Sequence, residues 1–233
     1  VTPAVLYRDE AVLVIDKPAG LPVHRGPRGG ASVEDLLESL RFGKRRLPQP
    51  AHRLDADTAG CLVLGRTKPA LAALGRAFAE GAVEKVYWAV VRGGPTVEMG
   101  EIALPVAKRS TREAGWRMVV DPAGAPALTL WRVLGRGADR TWLELRPRTG
   151  RTHQLRVHCA AMGWPILGDA VYGAGEPGGL ALLARSIAIP SLGVAAEAPV
   201  PAPMQRQGMG WTTKVEGGPG GRPSSPRAVF FRC

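Results

Sequence analysis

The sequence predicts an α+β fold, a mixed and largely antiparallel sheet with flanking helices. Three observations carry that reading. Val12-Leu13-Val14-Ile15 and Cys61-Leu62-Val63-Leu64 are short apolar runs with β-branched residues, as in strands buried on both faces. Glu84 to Val91, Ala127 to Leu134 and Thr141 to Arg146 alternate as strands with two unlike faces do. Helical stretches fall between these runs without regular strand–helix alternation, which favours a mixed sheet over a doubly wound one.

Taken in order, the first strand ends at the turn signal Lys17-Pro18-Ala19-Gly20, and a Gly/Pro/Arg loop from Arg25 to Gly30 follows. Ser32 with Asp35 three residues later reads as a capping box, opening a helix with Val33, Leu36, Leu37 and Leu40 on one face. Arg41, Lys44, Arg45 and Arg46 continue past it as a cationic patch. Thr67 caps the next helix, Pro69 sits in its first turn where a missing N–H costs nothing, and Gly81 stops it. A last helix is expected over Gly150 to Met162, with Pro165 closing its exit loop. From residue 205 Gly, Pro and Ser dominate without periodicity, so residues 1–204 read as one domain and 205–233 as a disordered tail.

Length and composition fit that single domain: 233 residues, 45% of them hydrophobic. No run approaches the roughly 18 apolar residues of a membrane span, and the first residues lack the features of a secretory signal. Cys61, Cys159 and Cys233 are too scattered for a disulfide framework or metal knuckle and suit a reducing compartment, so the cytoplasm is expected. Net charge is +11, and with only six lysines arginine supplies 25 of the 31 basic residues. Arginine's planar fork suits phosphates and stacks on bases, so the excess points to a polyanion such as nucleic acid.

Polar groups concentrate in two clusters. His52-Arg53-Leu54-Asp55-Ala56-Asp57-Thr58-Ala59-Gly60 places two carboxylates, a His, an Arg and a Thr at the entry to a buried strand. Arg146 to His158 is rich in arginine, and a helix start over Thr149 to Thr152 would offer free N–H groups to an anion. His153 and His158 stand five apart, on different helix faces, so they do not read as a zinc pair. Supporting hydrogen bonds by His153 and Gln154 fit better. On the strand at Glu84 to Val91, Tyr87, Ala89 and Val91 share a face.

HRLDADTAG, KVYWAV and TGRTHQLRVH, in that order, resemble the RluA-type pseudouridine synthases. YRDEAVLVIDKPAGLPVH and WPILGDAVYG look like the same family's flanking signatures, and the likeness runs from about Tyr7 to Met204. The resemblance implies the pseudouridine synthase fold with a central cleft, no metal, no cofactor, and a structured ribosomal or transfer RNA as partner. It also implies a monomer that needs no membrane or protein partner. Asp55 falls on the family's catalytic aspartate, Tyr87 on its tyrosine, Arg151 on the arginine paired with the aspartate, and Arg53 on the arginine that holds the target nucleotide out. His52, Arg45, Arg46, Arg148 and Arg156 complete the expected RNA-binding set, and Thr58 joins His153 and Gln154 in support. Thr58-Ala59-Gly60 departs from the family's usual Thr-Ser-Gly.

Two other readings stand beside this one. Asp55-Ala56-Asp57-Thr58 looks like the start of a haloacid-dehalogenase phosphatase loop, although Ala59 stands where that loop has Thr or Val. An RNA-binding protein that has lost catalysis on the same scaffold is the other.

Overall fold

The computed structural model describes residues 2–26, 29–111 and 115–207. Residues 205–207, expected to open the disordered tail, instead complete a helix, Ala202–Gln207, while the rest of the expected tail, with Cys233, lies outside the described residues. The strands run β1 (Val5–Arg8), β2 (Val12–Lys17), β3 (Gln49–Pro50), β4 (Ala59–Gly65), β5 (Glu84–Arg92), β6 (Met99–Ile102), β7 (Val106–Thr111), β8 (Gly115–Val120), β9 (Thr129–Arg136), β10 (Arg140–Pro147), β11 (Leu182–Ile189) and β12 (Val194–Glu197). Helices are α1 (Lys68–Ala79), α2 (Gln154–Ala161) and α3 (Ala202–Gln207). Ten strands form one sheet with the path β1-β2-β4-β11-β5-β10-β9-β6, β3 and β12 pairing at its sides, while β7 and β8 make a separate hairpin. Every pairing is antiparallel except β4 with β11. Among the described residues no helix is long and apolar enough to cross a membrane.

The uninterrupted apolar runs of β2 and β4 have a plain cause. Side chains alternate across a strand, and here each face meets its own core. Val12, Val14, Cys61 and Val63 pack with Leu74 and Ala77 of α1. Leu13, Ile15, Leu62 and Leu64 pack with Val33, Leu37 and Leu40. Burial pushes the Cys61 thiol up to about 11, and both Cys61 and Cys159 are free and buried.

The helix expected after Ser32 is instead a 3-10 turn, Val33–Leu36, continued by further tight turns. The Ser32 amide does donate to the Asp35 carboxylate (2.8 Å). Successive i,i+3 bonds, Leu37 to Glu34 and Leu40 to Leu37, bury the same apolar positions as a helix would, since three-residue spacing suits both. α1 has the expected ends: the Thr67 hydroxyl accepts from the Ala70 amide (3.2 Å), and Gly81 adopts φ +69°.

The parallel contact of β4 with β11 is brief, Ala59 opposite Leu183 and Gly60 opposite Ala184. Gly60 has φ +107°, and a Cβ there would lie 2.3 Å from the Ala184 carbonyl oxygen. Only glycine fits. The chain before Gly60 therefore emerges at the middle of the sheet, beside β11 and β5.

Candidate active site

Residues 51–58 form a loop pinned from below. The buried Lys17 ammonium at the end of β2 donates to the carbonyls of Pro18 (2.8 Å), Leu21 (2.7 Å) and Ala56 (2.8 Å). Burial pulls its pKa down to about 8, against the charges of Asp57 and Asp55. Lys17→Met leaves three carbonyls without that donor. It is expected to destabilise the protein by about 3–5 kcal/mol and to loosen the loop at Ala56; thermal unfolding of the variant measures this.

His52 fastens the other side. Its Nε2 accepts the Val63 amide (3.1 Å), its ring stacks on Phe78 (4.7 Å between centroids), and its protonated form is favoured by the Arg53 backbone. The charge that a phosphate contact would use is lost, because burial lowers the imidazole pKa from 6.5 to about 4, but His52 still lines the cavity around Asp55 as a neutral ring. Because the unfolded chain binds the proton more readily, stability present above pH 6.5 is lost as pH falls towards 4. That loss is on the order of 3 kcal/mol, and denaturant unfolding should show a shallower acid dependence for His52→Gln.

Asp55 sits partly buried on this loop, whose turn is closed by the amide of the buried Thr58 to the Asp55 carbonyl (3.1 Å). Arg156 Nη1 lies 3.3 Å from Asp55 Oδ2, and His153 Nε2 lies 3.8 Å from the same oxygen. Arg156 also donates from Nε and Nη2 to the two oxygens of Asp169, both at 2.8 Å. Asp169 in turn accepts the amides of Val171 (2.9 Å) and Tyr172 (3.0 Å). Desolvation opposes the charge on Arg156, but the bonds and charges of Asp169 and Asp55 outweigh it and raise its pKa. Desolvation likewise opposes ionised Asp169, whose bonds to Arg156 and the two amides keep its pKa low.

The arginine paired with Asp55 is thus Arg156 rather than Arg151. α2 begins at Gln154, later than the expected Gly150, and His153 caps it with φ +53°. Arg156 therefore projects inward from the first turn, while Arg151 lies exposed in the preceding turn and donates to the Pro126 carbonyl (3.1 Å). Arg156 was expected among the RNA contacts; it is buried. Gln154 ties the turn down: its Oε1 accepts from the Thr149 hydroxyl (2.7 Å) and Arg151 amide (3.0 Å), and its Nε2 donates to Leu128 and Thr129 (both 3.0 Å). His158 points away, bonded to Thr129 (3.0 Å) and Leu104 (2.9 Å).

These groups enclose a cavity of about 260 Å³. Asp55, Tyr87, Arg53, Lys85, Arg151, His153 and Arg156 line it, with Leu54, Phe78 and Leu182 as apolar wall. Tyr87 projects from β5. Burial, with the charges of Asp55 and Cys61, pushes its pKa far above the ordinary value, so it is a neutral phenol. Burial lowers the Lys85 pKa. Arg148 is exposed between the lining residues Pro147 and Thr149. Arg45 and Arg46 are exposed and outside the cavity, and two cations of their patch are paired, Lys44 with Glu10 and Arg41 with Glu38. Lys17, Asp169 and Tyr172 belong to the site although no role was read for them. Their sequence signals were the Lys-Pro turn and a lone acid in WPILGDAVYG, whose partner only tertiary structure supplies.

Comparison with known proteins gives one answer. The RNA pseudouridylate synthase family matches residues 11–161. An uncharacterized RNA pseudouridine synthase of Zymomonas mobilis is 45% identical over 204 residues, covering 84% of this chain and 93% of its own. Ribosomal large subunit pseudouridine synthase D of the same organism is 36% identical over 188 residues, 77% of this chain and 58% of its own. The solved structure of human RNA Pseudouridylate Synthase Domain Containing 1 superposes with a TM-score of 0.75 at 28% identity, covering 91% of this chain and 89% of that one. With a cationic cavity built around Asp55, Tyr87 and Arg156 and matches of this extent, the chain belongs to the RluA-type RNA pseudouridylate synthases, isomerases that act on uridine in RNA.

Proposed function

We propose that residues 1–204 form a catalytic domain that isomerises a specific uridine of structured ribosomal or transfer RNA, with Asp55 as the nucleophile. The observation that carries this is the chain Asp169–Arg156–Asp55 ending in a cavity with Tyr87 at its wall. At about 260 Å³ the cavity falls just below the roughly 300–1,000 Å³ of small-molecule pockets. A pocket of this size suits a single nucleoside, and a uridine paired in a helix reaches Asp55 only if it is extruded, at a cost of a few kcal/mol. Phosphate contacts to the arginines of the rim offset that cost, and exposed Arg53 fills the vacated space.

The carboxylate then breaks the bond between ribose C1′ and uracil N1, by attack on the sugar or by abstracting a proton from it. The freed uracil turns and C5 bonds to C1′ as Asp55 gives back the bond or proton it took from the sugar; the C5 proton departs and N1 takes one up. Nothing is oxidised or reduced, and the product has the substrate's formula. As a neutral phenol, Tyr87 stacks on the turning base or passes the proton along, without serving as a free phenolate. The enzyme works as a monomer in the cytoplasm and needs no cofactor. A relative named for the ribosomal large subunit makes that RNA the first to examine. Pseudouridine mapping across cellular RNA with and without the protein tests the proposal. One or a few sites should disappear on deletion, and an unchanged map refutes it.

A further inference from the structure

His153 is the one non-glycine site residue with a left-handed backbone. Its φ of +53° is left-handed, a region that glycine and asparagine enter most easily. A turn needing only that backbone has better residues available, so the ring calls for a reason.

Two residues orient the ring. Trp116 of the β7–β8 hairpin stacks on it at 5.3 Å, Tyr172 meets it edge-on at 5.6 Å, and Tyr172 Oη lies 2.8 Å from Nδ1. That hydroxyl already accepts the Met118 amide of β8 (3.0 Å). If it also accepted from His153, its own hydrogen would have no acceptor among the described residues, an unfavourable outcome for a half-buried phenol. The arrangement that satisfies every protein group has Tyr172 donating to Nδ1, which puts the proton of the neutral ring on Nε2. The other end of the ring agrees. Nε2 faces Asp55 Oδ2 at 3.8 Å, where a lone pair would meet a carboxylate and an N–H would not. Arg156 donates to Oδ2 as well, and Oδ1 takes no hydrogen bond among the described residues.

Resting on the reading of Asp55 as nucleophile, we propose that His153 is a positioning residue, its Nε2–H presented to Asp55 Oδ2 by Tyr172 so that Oδ1 is the oxygen turned to the sugar. The separation of 3.8 Å closes to a hydrogen bond when RNA fills the cavity, as such contacts tighten on binding. Burial lowers the His153 pKa, with Arg156 and Arg53 acting the same way against Asp55 and Asp169, which favours the neutral ring this role requires.

Three variants and one spectrum test this. Asn at 153 suits the left-handed backbone but places its amide at the Nδ1 position, whereas Gln places an N–H near Nε2. His153→Asn should slow single-turnover pseudouridine formation about tenfold, His153→Gln should recover most of that, and Tyr172→Phe should resemble Asn, each with RNA affinity unchanged. A merely structural role predicts the reverse order, Asn above Gln. Asn equal to the unaltered protein, or Gln no better than Asn, overturns the proposal. Nitrogen-15 NMR of the unaltered protein gives a reading that needs no variant to fold: a proton on Nε2 is expected, and one on Nδ1 overturns it. If the unaltered protein modifies no RNA, the nucleophile reading fails instead, while the spectrum still decides the tautomer.

Discussion

Asp55→Asn should lower the single-turnover rate of pseudouridine formation by about 10⁴-fold or more, while RNA affinity stays within about threefold. The amide keeps the carboxylate's size, so the loop held by Lys17 and His52 has no reason to move. Arg156 retains both bonds to Asp169 and stays in place. What disappears is the negative oxygen proposed to attack, and a drop of that size corresponds to more than about 5 kcal/mol of activation free energy. Gel-shift affinity alongside quenched single-turnover reactions separates the two quantities. A scaffold that only binds RNA shows no modification before or after the change.

Arg156→Met should damage both stability and rate. Asp169, fully buried, would keep its two backbone amides but lose the guanidinium fork, and Asp55 would lose its close cation. Stranding a buried carboxylate in this way costs about 3–5 kcal/mol. The rate should fall by about 10³-fold, because the carboxylate proposed to attack would lose the guanidinium that holds its orientation. Arg156→Lys is expected to fall between, since an ammonium cannot bridge two oxygens of Asp169 and reach Asp55 together. Arg151→Ala supplies the contrast: exposed and bonded to one carbonyl, it should change stability by no more than about 0.5 kcal/mol. Thermal unfolding and single-turnover rates for the three variants distinguish the partner of Asp55 directly.

The difference between Arg151 and Arg156 shows where sequence reasoning ran out. Both arginines stand in the same motif, and the choice depends on where α2 begins. That start is set by the left-handed turn at His153, which no Gly or Asn signals. The buried acid that anchors Arg156 lies 13 residues further on, joined to it only by the fold. Periodicity was of little help on α2 because Gln154 through Cys159 are buried on all sides, between β10 and the hairpin. The β7–β8 hairpin went unread for the opposite reason, since Lys108, Arg109, Trp116 and Arg117 are all exposed and leave few apolar positions to alternate. β11 also went unread, its alternation broken by Ala184, Arg185 and Ser186 near a register shift against β5.

Legible features were those fixed by local chemistry or by two-sided burial. β2 and β4 appeared as unbroken apolar runs because each is covered on both faces. α1 carried its own start and stop in Thr67, Pro69 and Gly81. Asp55 and Tyr87 stood out as motif residues, and both line the cavity, although the fold alone brings β4, β11 and β5 side by side. His52 shows the need for tertiary context: beside Arg53 it reads as a polar ligand, and only the fold shows it as a neutral ring stacked on Phe78 at the cavity wall.

The most direct measurement follows the hydrogen that the reaction must expel. RNA from cells lacking the protein, labelled with tritium at uracil C5, is incubated with the purified chain, and tritium released to water is counted. Release to a stoichiometric plateau at the target uridine, absent with Asp55→Asn, is the predicted result. No release by the unaltered protein, or undiminished release by the Asn variant, would contradict uridine isomerisation driven by Asp55.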